Sequence, residues 1–208
     1  MRYNSEHKTK TRERLLEEAA AAIKLEGPER ISIAAIMARA GLTHGGFYAH
    51  FGSKEELIAA AIERMFEIVD RAFLRRIEGL EPPEALAYFI DDYLSARHFD
   101  SVSDGCPLPA LSADVARLGI EIKGPFSHGF ARLQEHLADL FRKLGHQNAE
   151  AEELATSVYA EMVGAVSLAR AIQDPDQAAK IRNQCRRSLK RRLGLNLPSG
   201  TASKVQFA

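Results

Sequence analysis

Residues 32–57 read Ser32-Ile-Ala-Ala-Ile-Met-Ala-Arg-Ala-Gly41-Leu-Thr43-His-Gly-Gly-Phe-Tyr48-Ala-His-Phe51-Gly-Ser53-Lys54-Glu-Glu-Leu57. Ser32 precedes an apolar run and is placed to cap a helix as far as Ala40, where Gly41 supplies a tight turn. Thr43 is placed to cap a second short helix ending near Phe51. Ser53 and Glu56 have the three-residue spacing of a capping box, which opens a third, longer helix. Ile33, Ile36, Leu42, Phe47 and Phe51 have the spacing to form a small core beneath. Two short helices about a glycine turn, with polar tips, suit the major groove of duplex DNA, which is wide enough to admit one helix.

Outward from this stretch, apolar residues recur at helical spacing and strand alternation is nearly absent. Residues 9–26 carry Leu15, Leu16, Ala19, Ala20 and Ile23 on one stripe, stopped by Gly27-Pro28. A helix from 53 carries Leu57, Ile58, Ala61, Ile62, Met65, Phe66, Val69 and Phe73. Further helices are expected after Pro82-Pro83, over about 110–118, from Gly124-Pro125 to Leu144, and over about 149–173 and 176–193. Residues 100–109 form the least helical internal stretch, and a Ser-, Gly- and Thr-rich tail follows from 197. The expected fold is all-α, with about nine helices: an amino-terminal helix-turn-helix unit of three helices and a carboxy-terminal bundle. The corresponding domains are 1–54, 55–196 and the tail 197–208.

The chain of 208 residues carries 28 Lys and Arg against 28 Asp and Glu, so attraction to a polyanion must come from uneven placement of charge. Arg2, Lys8, Lys10, Arg12 and Arg14 crowd the amino end against Glu6 and Glu13. Two cysteines, Cys106 and Cys185, are too few for a disulfide framework or a zinc finger. The polar amino end offers no signal peptide, and no run approaches the roughly 18 apolar residues of a membrane span. A cytoplasmic location without membrane attachment is expected.

Thr43, His44, Tyr48 and His50 supply hydrogen-bonding groups that a purely structural helix does not need. Lys54 lies in the first turn of a helix, where a cation opposes the helix dipole unless an anion lies beside it. Three helix amino ends, at Ser32, Thr43 and Ser53, offer amides and hydroxyls to phosphates.

These residues carry a resemblance. Thr11-Arg12-Glu13-Arg14-Leu15-Leu16, Ala40-Gly41, Tyr48-Ala49-His50-Phe51 and Ser53-Lys54-Glu55-Glu56-Leu57 resemble, at consistent spacing, the amino-terminal signature of the TetR/AcrR-type transcriptional regulators. The resemblance implies a recognition helix over 43–50. Thr43, Tyr48 and Lys54 would then contact phosphates, Ser32 would meet phosphate from the preceding helix, and His44 and Gly45 would lie near base edges. Gly46, Phe47 and His50 complete the expected DNA-binding set. Gly46 departs from the family's usual Ser or Thr, and Met37 from its usual alanine. Two adjacent glycines also cost a helix roughly 1 kcal/mol each relative to alanine.

The resemblance further implies a homodimer and an effector pocket. Tyr159, Met162, Val163, Val166, Ile181 and Leu189 have the periodicity of a dimer interface, although packing within one chain produces the same pattern. Phe66, Phe89, Tyr93, His98, Cys106, Phe130 and Tyr159 are the candidates for lining the pocket. Asp104-Gly105-Cys106-Pro107-Leu108 looks like the Gly-Cys-Pro-Leu segment of one branch of the family.

The function expected is a homodimeric repressor released by an unidentified small-molecule effector from a pseudo-palindromic operator in double-stranded DNA. Its alternative is a regulator switched by oxidation or electrophile modification of Cys106, with His98 assisting if the loop folds back. An all-helical enzyme is more remote. A di-iron bundle needs Glu-x-x-His pairs, and none of the seven histidines has a glutamate three residues before it. No catalytic residue, metal or cofactor is expected. The basic run Lys180, Arg182, Arg186, Arg187, Lys190, Arg191 and Arg192 reads as a solvated face, with an anionic partner as the sharper alternative.

Overall fold

The computed structural model describes the backbone of residues 2–195 and the side chains of residues 8–195 except His44. The expected tail, 197–208, lies outside the described residues. Among those described there are nine α-helices, one 3₁₀ helix and no strand. In chain order they are α1 (Arg2–Glu26), α2 (Ile33–Arg39), the 3₁₀ helix (His44–Ala49), α3 (Lys54–Ile77), α4 (Pro82–Tyr93), α5 (Ala96–Asp100), α6 (Pro107–Val115), α7 (Ile120–Lys143), α8 (Asn148–Ala171) and α9 (Pro175–Arg192).

Three local expectations are corrected. The second short helix is 3₁₀ rather than α, because Gly45-Gly46 weakens α propensity and six residues are too few to offset nucleation. The least helical stretch is shorter than 100–109: α5 ends at Asp100, and α6 begins at Pro107, whose missing N–H is no loss in a first turn. Helix α7 starts ahead of Gly124-Pro125, at Ile120, and carries Pro125 inside it, forfeiting one backbone hydrogen bond.

The chain forms two compact units, each built from separated segments. The first comprises residues 1–76 and 97–135. Its core includes Leu15, Ile23, Ile36, Met37, Phe47, Phe51, Leu57, Ile62 and Phe66, all buried. Phe66 is fully buried and meets Phe126 edge-on at 5.3 Å between ring centroids. Gly129 lies so close to Phe66 that an added Cβ would stand 2.2 Å from the ring, so backbone and ring touch directly there.

The second unit comprises, among the described residues, 77–96 and 136–195. Phe89, Tyr93 and Tyr159 form an edge-on cluster, with centroid separations of 5.7–6.4 Å. The basic run of α9 has a structural use here. Arg186 and Arg182 donate to the carbonyl of Leu94, the C-cap of α4, at 2.7 and 3.3 Å, and Lys190 pairs with Asp91 at 2.7 Å. Cations at a helix carboxyl end complement its dipole. Arg192 pairs with Glu161. Lys180, Arg187 and Arg191 face solvent.

Gly129→Ala tests the close approach on Phe66. The exchange gains about 1 kcal/mol of helix propensity, whereas forcing a methyl group into a filled core typically costs 1–3 kcal/mol. We expect a net loss of stability in urea or guanidinium unfolding; equal or greater stability would show that the two helices separate freely.

Candidate nucleic-acid interface

The turn that sets the two short helices at an angle is closed by backbone bonds. Gly41 takes φ +69, a left-handed conformation that costs glycine least. Its N–H donates to Ala38 O at 2.9 Å and that of Leu42 to Met37 O at 2.9 Å, the paired bonds of a Schellman end. Ser32 caps α2 as expected, its Oγ accepting from Ala35 N at 3.4 Å. Thr43 takes the N-cap backbone conformation, but its side chain makes no capping bond. That correction leaves an exposed hydroxyl at the start of the 3₁₀ helix.

At the next junction Ser53 Oγ accepts from Glu56 N at 3.1 Å, and Glu56 Oε2 accepts from Gly52 N at 2.7 Å. The reciprocal bond thus reaches one residue further back than in the standard capping box. Lys54 donates through Nζ to the carbonyl of Glu29 at 2.7 Å. Its ammonium is therefore tethered at the amino end of α3.

Within the 3₁₀ helix the aromatic pair divides its work. Phe47 is 1% exposed whereas Tyr48 is 68% exposed. Their rings meet edge-on at 5.2 Å, so a buried ring seats an exposed phenol. Phe47 supports this surface from beneath, as its place in the expected core requires. Gly45 is exposed, with nothing within 4 Å of where a Cβ would stand. Gly46 has Met37 Cε at 3.5 Å from its own Cβ position. The two departures noted in sequence thus meet in space: a longer side chain at 37 lies under a missing one at 46.

The backbone of His44 opens the 3₁₀ helix. His50 closes it, with a buried Nδ1 that has no hydrogen-bond partner. Burial lowers its pKa first, and Lys8 and Arg12 lower it further. Arg12 also stands over the Phe51 ring, 4.9 Å from its centroid, and the Arg14 guanidinium approaches Gly41, 3.8 Å from its Cβ position. Two cations of α1 therefore join a site whose expected members all lay between 32 and 54. The crowding of charge at the amino end was the signal for them.

Comparison with known proteins agrees with this geometry. Residues 15–61 match the model of the bacterial regulatory proteins, tetR family, and residues 82–184 match the C-terminal domain of LmrA/YxaF-like transcriptional regulators. The chain belongs to the TetR family. Among solved structures, a TetR transcriptional regulator from Chloroflexus aurantiacus is similar at 26% identity and TM-score 0.78, over 91% of this chain and 96% of that one. A TetR transcriptional regulator from Legionella pneumophila is similar at 24% identity and TM-score 0.70, over 84% and 95% of the two chains. The reduced form of Escherichia coli NemR shares the fold at 19% identity and TM-score 0.75, over 88% and 96%. The curated proteins searched hold no match.

In this TetR-family chain the candidate pocket residues are divided. Phe66, His98, Cys106 and Phe130 belong to the first unit, and Phe89, Tyr93 and Tyr159 to the second. The loop before α6 does fold back on His98, whose Nε2 accepts from the backbone N–H of Cys106 at 3.1 Å. His98 thus engages the backbone at Cys106, and the Cys106 residue is 4% exposed. Cys185 is a weak thiol: burial, then Glu161, push its pKa up to about 11, and Sγ lies 3.6 Å from Glu161 O.

Four expected interface residues, Tyr159, Met162, Val166 and Leu189, are at most 2% exposed within a single chain. They fill the chain's own core, where α8 and α9 pack on each other. Val163 and Ile181 stay partly exposed, and on α8 Ala160, Gly164 and Leu168 are not buried. No helix among the described residues is long and apolar enough to cross a membrane.

The lowered pKa of His50 has a definite sign. The unfolded chain takes up this proton first, so the stability from neutral His50 is complete above about pH 6.5 and is lost as pH falls through the lower folded value. An NMR titration of His50 is expected to give a midpoint below 6.5. His50→Gln is expected to flatten the loss of stability on acidification; an unchanged pH profile would remove His50 as its source.

Proposed function

We propose that this TetR-family protein is a homodimeric repressor that dissociates from a pseudo-palindromic operator when a small molecule binds. The observation that carries the DNA-binding part is the seating of Tyr48: an exposed phenol held edge-on by buried Phe47, beside tethered Lys54. Rigid hydroxyls and cations at helix amino ends are the donors that phosphates need. In this reading Ser32, Thr43, Tyr48 and Lys54 meet phosphates, joined by Arg12 and Arg14, while His44, the open backbone at Gly45 and its neighbour Gly46 lie toward base edges and His50 adjoins them. Residues 1–54 form the DNA-binding part, and 55–196 the part that binds effector and dimerises.

Two copies would present their 3₁₀ helices to successive major grooves, about 34 Å or one DNA turn apart or somewhat more. An effector shifts the protein off DNA only by its differential affinity for the two states. Phe89, Tyr93 and Tyr159, clustered within the second unit, are proposed to contact it. A non-covalent effector is favoured over a switch at Cys106 because Cys106 is 4% exposed. A regulator is favoured over an all-helical enzyme by the family of both matched segments.

Selection of bound sequences from random duplex DNA tests this reading directly, with a two-fold symmetric consensus expected. On the selected duplex, Tyr48→Phe and Lys54→Met are each expected to weaken binding about tenfold. Lys54→Met is also expected to reduce the logarithmic salt slope by about 1. Unchanged affinity in both variants would remove this face as the contact surface.

Dimerisation is supported by the α8 face that the protomer leaves uncovered, on which Leu168 is 62% exposed. Leu168→Glu would place a charge in that interface and is expected to shift the light-scattering mass from dimer to monomer at micromolar protein. A dimer that survives intact would mean that copies meet elsewhere.

A further inference from the structure

Lys24 lies in the last turn of α1 and donates through Nζ to the carbonyl of Gly105, 81 residues away in sequence, at 3.3 Å. It is not an ordinary surface lysine. Burial lowers its pKa, and the charges of Asp104 and Cys106 act the other way. A partly buried ammonium costs free energy unless something fixed meets it.

The carbonyl that meets it belongs to a tightly closed turn. A Cβ on Gly105 would stand 2.6 Å from Ser101 O and 3.3 Å from His98 Nε2, so only glycine fits. Ser101 N donates back to Arg97 O at 3.1 Å, and Cys106 N to His98 Nε2 at 3.1 Å. The direction of the Gly105 carbonyl is thus set by the closure of the whole turn. Close by, Gly27, just past the end of α1, has Asp114 Oδ2 of α6 at 3.4 Å from its Cβ position.

The other end of this connection is the candidate interface. Leu15, Leu16, Ala19 and Ile23 of α1 are buried, and Arg12 lies over Phe51. From Arg12 to Lys24 a helix spans about 18 Å and moves as a rod. We propose that Lys24 is a positioning residue that ties the 101–106 turn to the DNA-contacting end of α1, so that docking on DNA and opening of the turn oppose each other. This rests on the DNA-binding reading above. Any ligand that needs the turn open would release the duplex through this tie.

Linkage makes the tie testable without knowing the effector, because a coupling between two sites acts equally in both directions. Cys106, being buried, reports opening of the turn through its labelling by N-ethylmaleimide. Its sulfur bonds to one alkene carbon and a proton goes to the other. Peptide mass spectrometry separates this adduct from that of Cys185. In the wild-type chain, saturating selected duplex is expected to slow Cys106 labelling at least about fivefold. In Lys24→Met, which keeps the apolar stem and lacks the donor, the duplex is expected to slow it less than twofold, on the same principle. Lys24→Arg is expected to restore the effect. Thermal melting confirms that each variant folds.

Full slowing in Lys24→Met, or none in wild-type chain with duplex bound, overturns the proposal. If the wild-type chain retains no duplex, the DNA-binding reading has failed instead, and the free proteins decide the tie. Lys24→Met must then label about fivefold faster than wild type, the weight of one hydrogen bond. Equal rates overturn it.

Discussion

Burial of Phe47 and Phe51 beneath a six-residue helix is the constraint on which the rest of the DNA-facing unit depends. A helix that short cannot pay for its own nucleation, and Gly45-Gly46 adds roughly 1 kcal/mol per glycine against it. Burying two phenylalanine side chains returns about 1.5–3 kcal/mol each, enough to outweigh the glycines. The rings lie 5.9 Å apart and also serve their neighbours: Phe47 seats Tyr48, and Phe51 carries Arg12 on its face. Exposed polar groups are held in place by what is hidden under them.

Charge is allotted in the same manner. A chain of zero formal net charge has no cations to spare, so their use matters more than their number. Arg182, Arg186 and Lys190 of α9 are engaged by the carboxyl end of α4 and by Asp91. Arg12 and Arg14 of α1 stand beside Phe51 and Gly41. The two basic clusters look alike in sequence. The first has a carbonyl end and a carboxylate to receive it within its own unit.

The short-range features were legible from residues a few places apart. The glycine turn at 41, the caps at Ser32 and Ser53, and the helices α8 and α9 lie where their local signals put them. The misreadings share a different origin. Thr43 has a capping residue's identity without its side-chain bond, because the backbone there winds into 3₁₀ geometry. Pro125 reads as a start signal, yet the first turn of α7 forms ahead of it from Ile120. Phe47 and Tyr48 are neighbours in sequence, but one step along a short helix turns the first ring inward and the second outward.

The all-helical class, the amino-terminal helix-turn-helix unit and the family were decided by the sequence itself. Their signals are local: turn residues, caps and aromatic spacings acting within one or two helical turns. The tertiary structure alone decided which apolar stripe is covered within a single chain, as it is at Tyr159, Met162, Val166 and Leu189. It also placed Met37 under Gly46, Phe66 against Gly129, His98 on Cys106 and Lys24 on Gly105. Periodicity records that a face is apolar, or that a cation is present, but a partner is chosen by segments the chain brings together from far apart.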